Sequence, residues 1–307
     1  MLVTAKKILI PARAKRYAVP AFNVNNLEIL KAVMAAAEKY ASPVIIQTSE
    51  GAIQYAGMDY LLAMVGVAAK SKIPVVMHLD HGKDLTIVRQ AIRSGYTSVM
   101  YDGSALPYAE NVRNTKKVVR WARLKNVSVE AEIGALKGIE DLVRVEDRDA
   151  ALTDPDEALR FYTQTDCDTL AIAVGTSHGA FKFKDRTHLD LERLKRIGEL
   201  VNAPLVLHGA SGVLEDVKHV AELYGAKIGE AHGVLDEDIK KAIRLGVAKI
   251  NIDTDLRLAF SAGVREAVTE LPTVIDPREL LKPAMTLITE VAVRKMKLFG
   301  SINKARL

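Results

Sequence analysis

Ile73-Pro-Val-Val-Met-His-Leu-Asp80-His81-Gly82 is an apolar run that ends in an acid, a histidine and a glycine. It is short and rich in apolar and β-branched residues, which reads as a strand covered on both faces. Asp84 then stands where a helix N-cap belongs, and Ile87, Ala91 and Ile92 follow at helical spacing. The stretch is therefore one strand-to-helix unit with reactive side chains at the C-terminal end of the strand.

Working outward, the same unit recurs. Eight runs of this kind lie along the chain: 19–24, 43–49, 73–80, 98–104, 127–134, 169–178, 204–211 and 249–254. Amphipathic stretches separate them, as with Leu27, Leu30, Met34 and Ala37 at spacings of three and four. Eight strands alternating with helices predict a (β/α)8 TIM barrel with extra terminal helices. A doubly wound open sheet would alternate similarly, but its Gly-x-Gly-x-x-Gly fingerprint is missing. No linker or low-complexity tract divides the chain, so one domain is expected over residues 1–307.

Two connections are longer than the rest. The charged stretch 135–154 follows the fifth run and is expected to be a mobile loop on the catalytic face. The stretch 213–236 is expected to hold a helix of its own before the helix at 238–245. A last helix is expected over 277–299, with Asp276 as N-cap and Pro277 at its first position.

Composition narrows the function classes. With 49% apolar and 26% charged residues in 307, the chain can bury a large core. The net charge of +5 is spread over helical faces, without interleaved aromatics or a recognisable motif, so nucleic acid is not expected as a partner. No apolar run reaches the roughly 18 residues of a membrane span, and the N-terminus lacks a signal-peptide pattern. A cytoplasmic protein without membrane association is expected. The single cysteine, Cys167, reads as a buried structural thiol.

Polar residues gather at the C-terminal ends of the predicted strands, where barrel enzymes do their chemistry. In strand order they are Asn23, Ser49, Asp80 with His81, Asp102, Glu130 with Glu132, His178, His208, and Asn251 with Asp253. One histidine at a strand end is ordinarily structural. Three at equivalent ends, His81, His178 and His208, instead suit a catalytic zinc with one open position. His78, His188, His219 and His232 lack that placement and read as structural. Gly175, Gly179, Gly209 and Gly212 flank the two later histidines, where backbone N–H groups can wrap a phosphate with help from Ser211 and Lys182.

The ordered motifs His78-Leu-Asp80-His81-Gly82, Tyr101-Asp102-Gly103-Ser104, Val129-Glu130-Ala-Glu132-Ile-Gly134, Gly175-Thr-Ser-His178-Gly179, Leu207-His208-Gly209-Ala-Ser211-Gly212 and Lys249-Ile-Asn251-Ile-Asp253-Thr254 resemble the class II fructose-bisphosphate and tagatose-bisphosphate aldolases. The resemblance spans almost the whole chain. It implies zinc on His81, His178 and His208, with Asp80 as general acid/base. Asp102 and Glu132 match family carboxylates beside the metal path. Gly179, Lys182, Gly209, Ser211, Asn251 and Thr254 match the cradle for the phosphate of dihydroxyacetone phosphate, and Asn23 and Ser49 match positions that face the bound ketose.

Further implications are finer. Asp253 and Arg257 follow the fructose-type pattern Asn-x-Asp-Thr-Asp-x-Arg, which favours fructose 1,6-bisphosphate over tagatose 1,6-bisphosphate. In the family this arginine reaches a phosphate in the neighbouring subunit, so a homodimer or homotetramer is implied. A monovalent cation beside the cradle is also implied. Glu140, in the charged connection, is the candidate second base. The stretch after Gly212 is longer than in many relatives.

Two other readings are weaker. A Schiff-base aldolase would need a lysine deep in the sixth run, and 169–178 contains none. A non-catalytic sugar-phosphate binding protein would keep the cradle, but Asp80 beside three candidate ligands argues for chemistry.

Overall fold

The computed structural model describes residues 1–134, 137–140, 143–145, 152–178, 188–228 and 233–306, with 137–140, 143–145 and 177–178 described by backbone only. The first elements are α1 (Ala5–Ala14), β1 (Val19–Asn23), α2 (Leu27–Lys39), β2 (Val44–Ser49), α3 (Glu50–Ala56), α4 (Met58–Ala68) and β3 (Val75–Gly82). Next come α5 (Leu85–Ser94), β4 (Ser98–Tyr101), α6 (Tyr108–Arg123), β5 (Ser128–Ile133), β6 (Lys137–Glu140), β7 (Val143–Val145), α7 (Pro155–Thr165), β8 (Thr169–Ile172) and β9 (Ser177–His178). The chain continues through α8 (Leu191–Leu200), β10 (Leu205–Leu207), α9 (Glu215–Leu223), α10 (Asp236–Arg244), β11 (Val247–Ile252), α11 (Thr254–Glu270), α12 (Pro277–Leu280) and α13 (Lys282–Phe299).

Strands β1, β2, β3, β4, β5, β8, β10 and β11 close into a parallel barrel, in that order around the ring. The eight-stranded barrel read from the alternation is thus the fold. Alternation along each strand sorts the side chains into two shells. One set points outward and packs against the helices, forming the largest apolar cluster. The other points inward and forms layers: Val19, Ala21, Ile45 and Val76 near one mouth, then Met100, Ala171 and Val206.

Helix α1 closes the N-terminal mouth. Its Ile8, Leu9 and Ala12 pack on the first inward layer, and Arg13 ties it to the wall through Gly198 O at 2.8 Å and through Ala203 O. The far end of the chain also returns to the barrel, where Ala18 N–H donates to Phe299 O at 3.0 Å.

Several expectations need adjustment. The sixth run, read as 169–178, ends as β8 at Ile172, and Ser177–His178 instead pairs with Lys137–Gly138 of β6. Gly175 sits between them at φ 101°, a left-handed conformation that turns the chain away from the ladder. The stretch 135–154 carries the antiparallel pair β6 and β7 in its described residues, rather than loop alone. The last helix is two: α12 stops at Leu280, and α13 begins at Lys282 with Pro283 in its first turn. Proline pre-sets φ for a first turn but would cost a hydrogen bond inside a longer helix. Leu27 is 47% exposed, and the buried face of α2 is carried by Ile29, Leu30, Val33 and Met34. Asp84 and Asp276 cap as expected, accepting from Thr86 N–H and Arg278 N–H. Helix α9 lies in the connection after 213, as expected, and Cys167 is buried.

Candidate active site

The inward face of each strand changes character toward the C-terminal mouth. Asn23 follows Val19 and Ala21, Gln47 follows Ile45, and His78 and Asp80 follow Val76, each two residues on. All are buried. Asp80 is held by three amides: Asn23 Nδ2 and Gln47 Nε2 donate to its Oδ2 at 2.9 and 3.2 Å, and Asn251 Nδ2 donates to Oδ1 at 2.9 Å. Gln47 also donates to Asn23 Oδ1 at 2.5 Å. These three contacts fix the carboxylate through neutral amide donors.

Beside it, His81 Nε2 and His208 Nδ1 face one another at 2.9 Å. Each ring turns its other nitrogen to a carboxylate, His81 Nδ1 to Asp102 Oδ2 at 2.9 Å and His208 Nε2 to Glu130 Oε1 at 2.8 Å. Carboxylates behind imidazoles in this way orient histidines for a metal and fix their tautomers. His81 is backbone-strained, with φ 47°, as side chains aimed by a functional site often are.

The charges are unevenly shared. Burial opposes protonation of His81, but Asp80, Asp102 and Glu132 outweigh it and hold the imidazole well above its ordinary pKa. Burial and the neighbouring His81 push His208 down. His81 Nε2 and His208 Nδ1 lie along the line where two imidazoles would share a cation. Burial opposes ionisation of Asp102, yet His81 and Ser104 keep its carboxyl well below the usual range. Burial pushes Glu132 well above it, with the Asp102 charge adding to the effect. Among the described residues, Glu132 Oε2 is buried without a hydrogen-bond partner, 3.9 Å from His81 Nδ1. Converging imidazoles, a buried unpaired carboxyl oxygen and backing carboxylates form a donor set that fits zinc.

Beneath this layer lies Lys249, fully buried on β11. Its Nζ donates to both oxygens of Glu130, at 2.9 and 2.8 Å, and meets His78 Nε2 at 3.3 Å. Burial lowers His78 to about 3, helped by Lys249, so the ring is neutral and its Nδ1–H donates to Ser98 Oγ at 2.8 Å. Burial opposes ionisation of Glu130, but Lys249 and His208 keep its carboxyl below the usual range. Lys249 and Gln47 join this layer although nothing in the strand-end pattern named them, whereas Glu130 stood in that pattern with Glu132. Counting back two residues from Asn251 and Ser49 would have found the other two, since period two keeps a strand's residues on one face.

The remaining expected residues fall as follows. Ser49 Oγ accepts from Ala52 N–H and caps α3. Gly209 has φ 62°, a conformation that suits glycine, and Ser211 is buried beside it. Val213 has φ 45°, a strained conformation for a β-branched residue, costing of order 1–3 kcal/mol. Asp253 and Thr254 begin α11, and Arg257 Nε donates to Asp253 Oδ1 at 2.8 Å. Backbone places Glu140 on β6 and His178 on β9, adjacent strands of the small sheet; both side chains lie outside the described residues, as do Gly179, Lys182 and His232.

Fold and site together define a parallel-barrel protein with its chemistry-bearing side chains at the C-terminal mouth. Comparison with known proteins makes the class particular. The class-II fructose-bisphosphate aldolase family matches residues 3–304. A fructose-bisphosphate aldolase of Thermus caldophilus is 51% identical over 305 residues, covering 99% of this chain and all of that one. One from Helicobacter pylori is 44% identical over 306 residues, with 99% and 100% covered. The crystal structure of the YdjI aldolase from Escherichia coli K12 superposes with a TM-score of 0.81 at 36% identity, over all of both chains. This chain belongs to the class II fructose-bisphosphate aldolase family, a family of lyases that is zinc-dependent in general.

Proposed function

We propose that the chain reversibly cleaves fructose 1,6-bisphosphate to dihydroxyacetone phosphate and glyceraldehyde 3-phosphate, with zinc held by His81, His178 and His208. The observation that carries this reading is the 2.9 Å convergence of His81 and His208 beside an Asp80 held by three amides. When bound, zinc supplies Lewis-acid polarisation of the ketone and offsets negative charge that develops on cleavage, an effect worth several kcal/mol.

The chain's own residues do the rest. Asp80 takes the proton of the C4 hydroxyl as the C3–C4 bond breaks, and returns it to the aldehyde in condensation. Asn23, Gln47 and Asn251 aim the carboxylate. Asp102 and Glu130 orient the imidazoles, and Glu132 stands by as a further carboxylate donor. Glu140, as second base, exchanges the proton at C3 of the three-carbon product. The phosphate of dihydroxyacetone phosphate is bound by Gly179, Lys182, Gly209, Ser211, Asn251 and Thr254, and the ketose faces Asn23 and Ser49. Lys249 is not a Schiff-base lysine: its Nζ already donates to both Glu130 oxygens, and an ammonium so engaged has no lone pair to offer a ketone.

The proposal extends to a homodimer or homotetramer, with Asp253 and Arg257 selecting the fructose substrate and Arg257 reaching a neighbouring phosphate, and to a cytoplasmic location. It includes a monovalent cation beside the cradle. Among the described residues, no helix is long and apolar enough to cross a membrane. The test is cleavage of fructose 1,6-bisphosphate beside tagatose 1,6-bisphosphate, with and without a chelator and with zinc restored. Chelator-sensitive, zinc-rescued preference for the fructose ester is expected. Preference for the tagatose ester overturns the substrate assignment, and zinc binding without cleavage of either ester leaves a sugar-phosphate binding protein.

A further inference from the structure

Helix α13 reaches the loop after β10 from behind. Lys295, only 3% exposed, places Nζ 2.8 Å from Asp255 Oδ2. Asp255 lies in the first turn of α11, is itself buried, and the same oxygen accepts the Gly212 N–H at 2.9 Å. A charged helix residue, a buried carboxylate and one backbone amide thus form a single line ending on the loop. That amide belongs to the residue between Ser211 and the strained Val213.

The surroundings leave the line little freedom. A Cβ at Gly212 would come within 2.8 Å of Lys295 Nζ, and one at Gly233 would enter the Gly212 backbone. Helix α13 is anchored in turn: Gly263 of α11 lies so close to Ala284 that a Cβ has no room, and Arg294 pairs with Asp216 of α9 at 2.6 Å.

We infer that Lys295 is a positioning residue, which through Asp255 clamps Gly212 and keeps the loop 209–213 in the conformation that presents its N–H groups to the substrate phosphate. The inference rests on the phosphate-cradle reading above. A left-handed valine does not hold itself, because the same peptide relaxes toward extended or helical backbone when nothing opposes it. The amide turned toward Asp255 supplies the opposition, and Lys295 holds that carboxylate in place. Without the clamp, only a fraction of molecules presents a formed cradle, and phosphate affinity falls by that fraction.

The zinc-loaded full chain and its Lys295→Met and Lys295→Arg variants are compared for inhibition of fructose 1,6-bisphosphate cleavage by inorganic phosphate, with KM, kcat and zinc content measured alongside. Lys295→Met is expected to bind phosphate about tenfold more weakly and to raise KM similarly, with kcat within about threefold and zinc unchanged. Lys295→Arg, which keeps the charge, is expected to stay within about threefold of the wild type. Equal phosphate affinity in wild type and Lys295→Met overturns the clamp and leaves the cradle standing, whereas a wild type indifferent to phosphate overturns both. If Lys295→Met does not fold, hydrogen exchange in the wild type decides: a Gly212 amide protected without phosphate and slowed further by it supports the clamp, and one that exchanges freely overturns it.

Discussion

At the N-terminal mouth Ile8 and Leu9 of α1 press on Val19, Ala21, Ile45 and Val76, while at the C-terminal mouth the same strands present Asn23, Gln47, His78 and Asp80. Each strand passes from apolar to polar within four residues along one inner face. The N-terminal end is held by packing, which tolerates reshaping as long as volume is filled. The C-terminal end is held by pairing, in which removing one member strands another in a dry interior. The contrast teaches that stability and activity are separable along the barrel axis, with Lys249 and Glu130 where the two regimes meet.

Asp80→Ala should break the chemistry and spare the fold. Cleavage is expected to fall by about 10²–10⁴-fold, the range for a positioned acid/base, with zinc still bound when assayed by metal analysis. Full activity in this variant would remove Asp80 from the mechanism. At the junction, Lys249→Met leaves the Glu130 carboxylate buried without its cation and is expected to cost about 3–5 kcal/mol in chemical denaturation. Adding Glu130→Gln should recover most of that loss, while zinc affinity, measured by chelator competition, stays about tenfold or more below wild type because His208 loses its charged partner. Deep in the other end, Leu9→Ala should cost about 2–4 kcal/mol by opening a cavity against the first inward layer. Its kcat per folded molecule should be unchanged, and a lowered kcat would show that the two ends are coupled.

The fold was legible because the barrel writes itself as a rhythm, and tertiary packing did not override it. The gathering of Asp80, His81 and His208 was legible too, since each interrupts an apolar run at its end. What was hidden lay one pleat below. Gln47 sits inside a run that looks apolar, and Lys249, at the start of the run 249–254, reads as the edge of a strand until Glu130 is found across the barrel to pair with it. Local sequence carries no sign of a partner more than a hundred positions away. The same holds for Lys295, whose neighbours on α13 give a good amphipathic helix and no hint that one lysine faces inward. The early end of β8 was missed because Gly175 reads as part of a phosphate turn, whereas its left-handed backbone also ends the strand.

Cys167 offers the smallest effect and a clean reading of the packed end. Its thiol lies just before β8, and burial pushes its pKa up from 9.0 to about 12, with only partial relief from Thr165. The sign follows from linkage: an unfolded chain releases this proton near pH 9, while the folded chain keeps it. The contribution is therefore fully present below about pH 9 and is lost as pH rises toward 12. Cys167→Ala removes the titration and leaves only the cost of the vacated volume. The stability advantage of wild type over Cys167→Ala should be constant from pH 7 to 8.5 and shrink by about 1–2 kcal/mol at pH 10.5, read from urea midpoints. A thiol reagent at pH 8 should find one reactive group after unfolding and none before. If the advantage does not change with pH, the thiol is in contact with water, and the N-terminal half of the barrel wall is less tightly sealed than its packing with α1 requires.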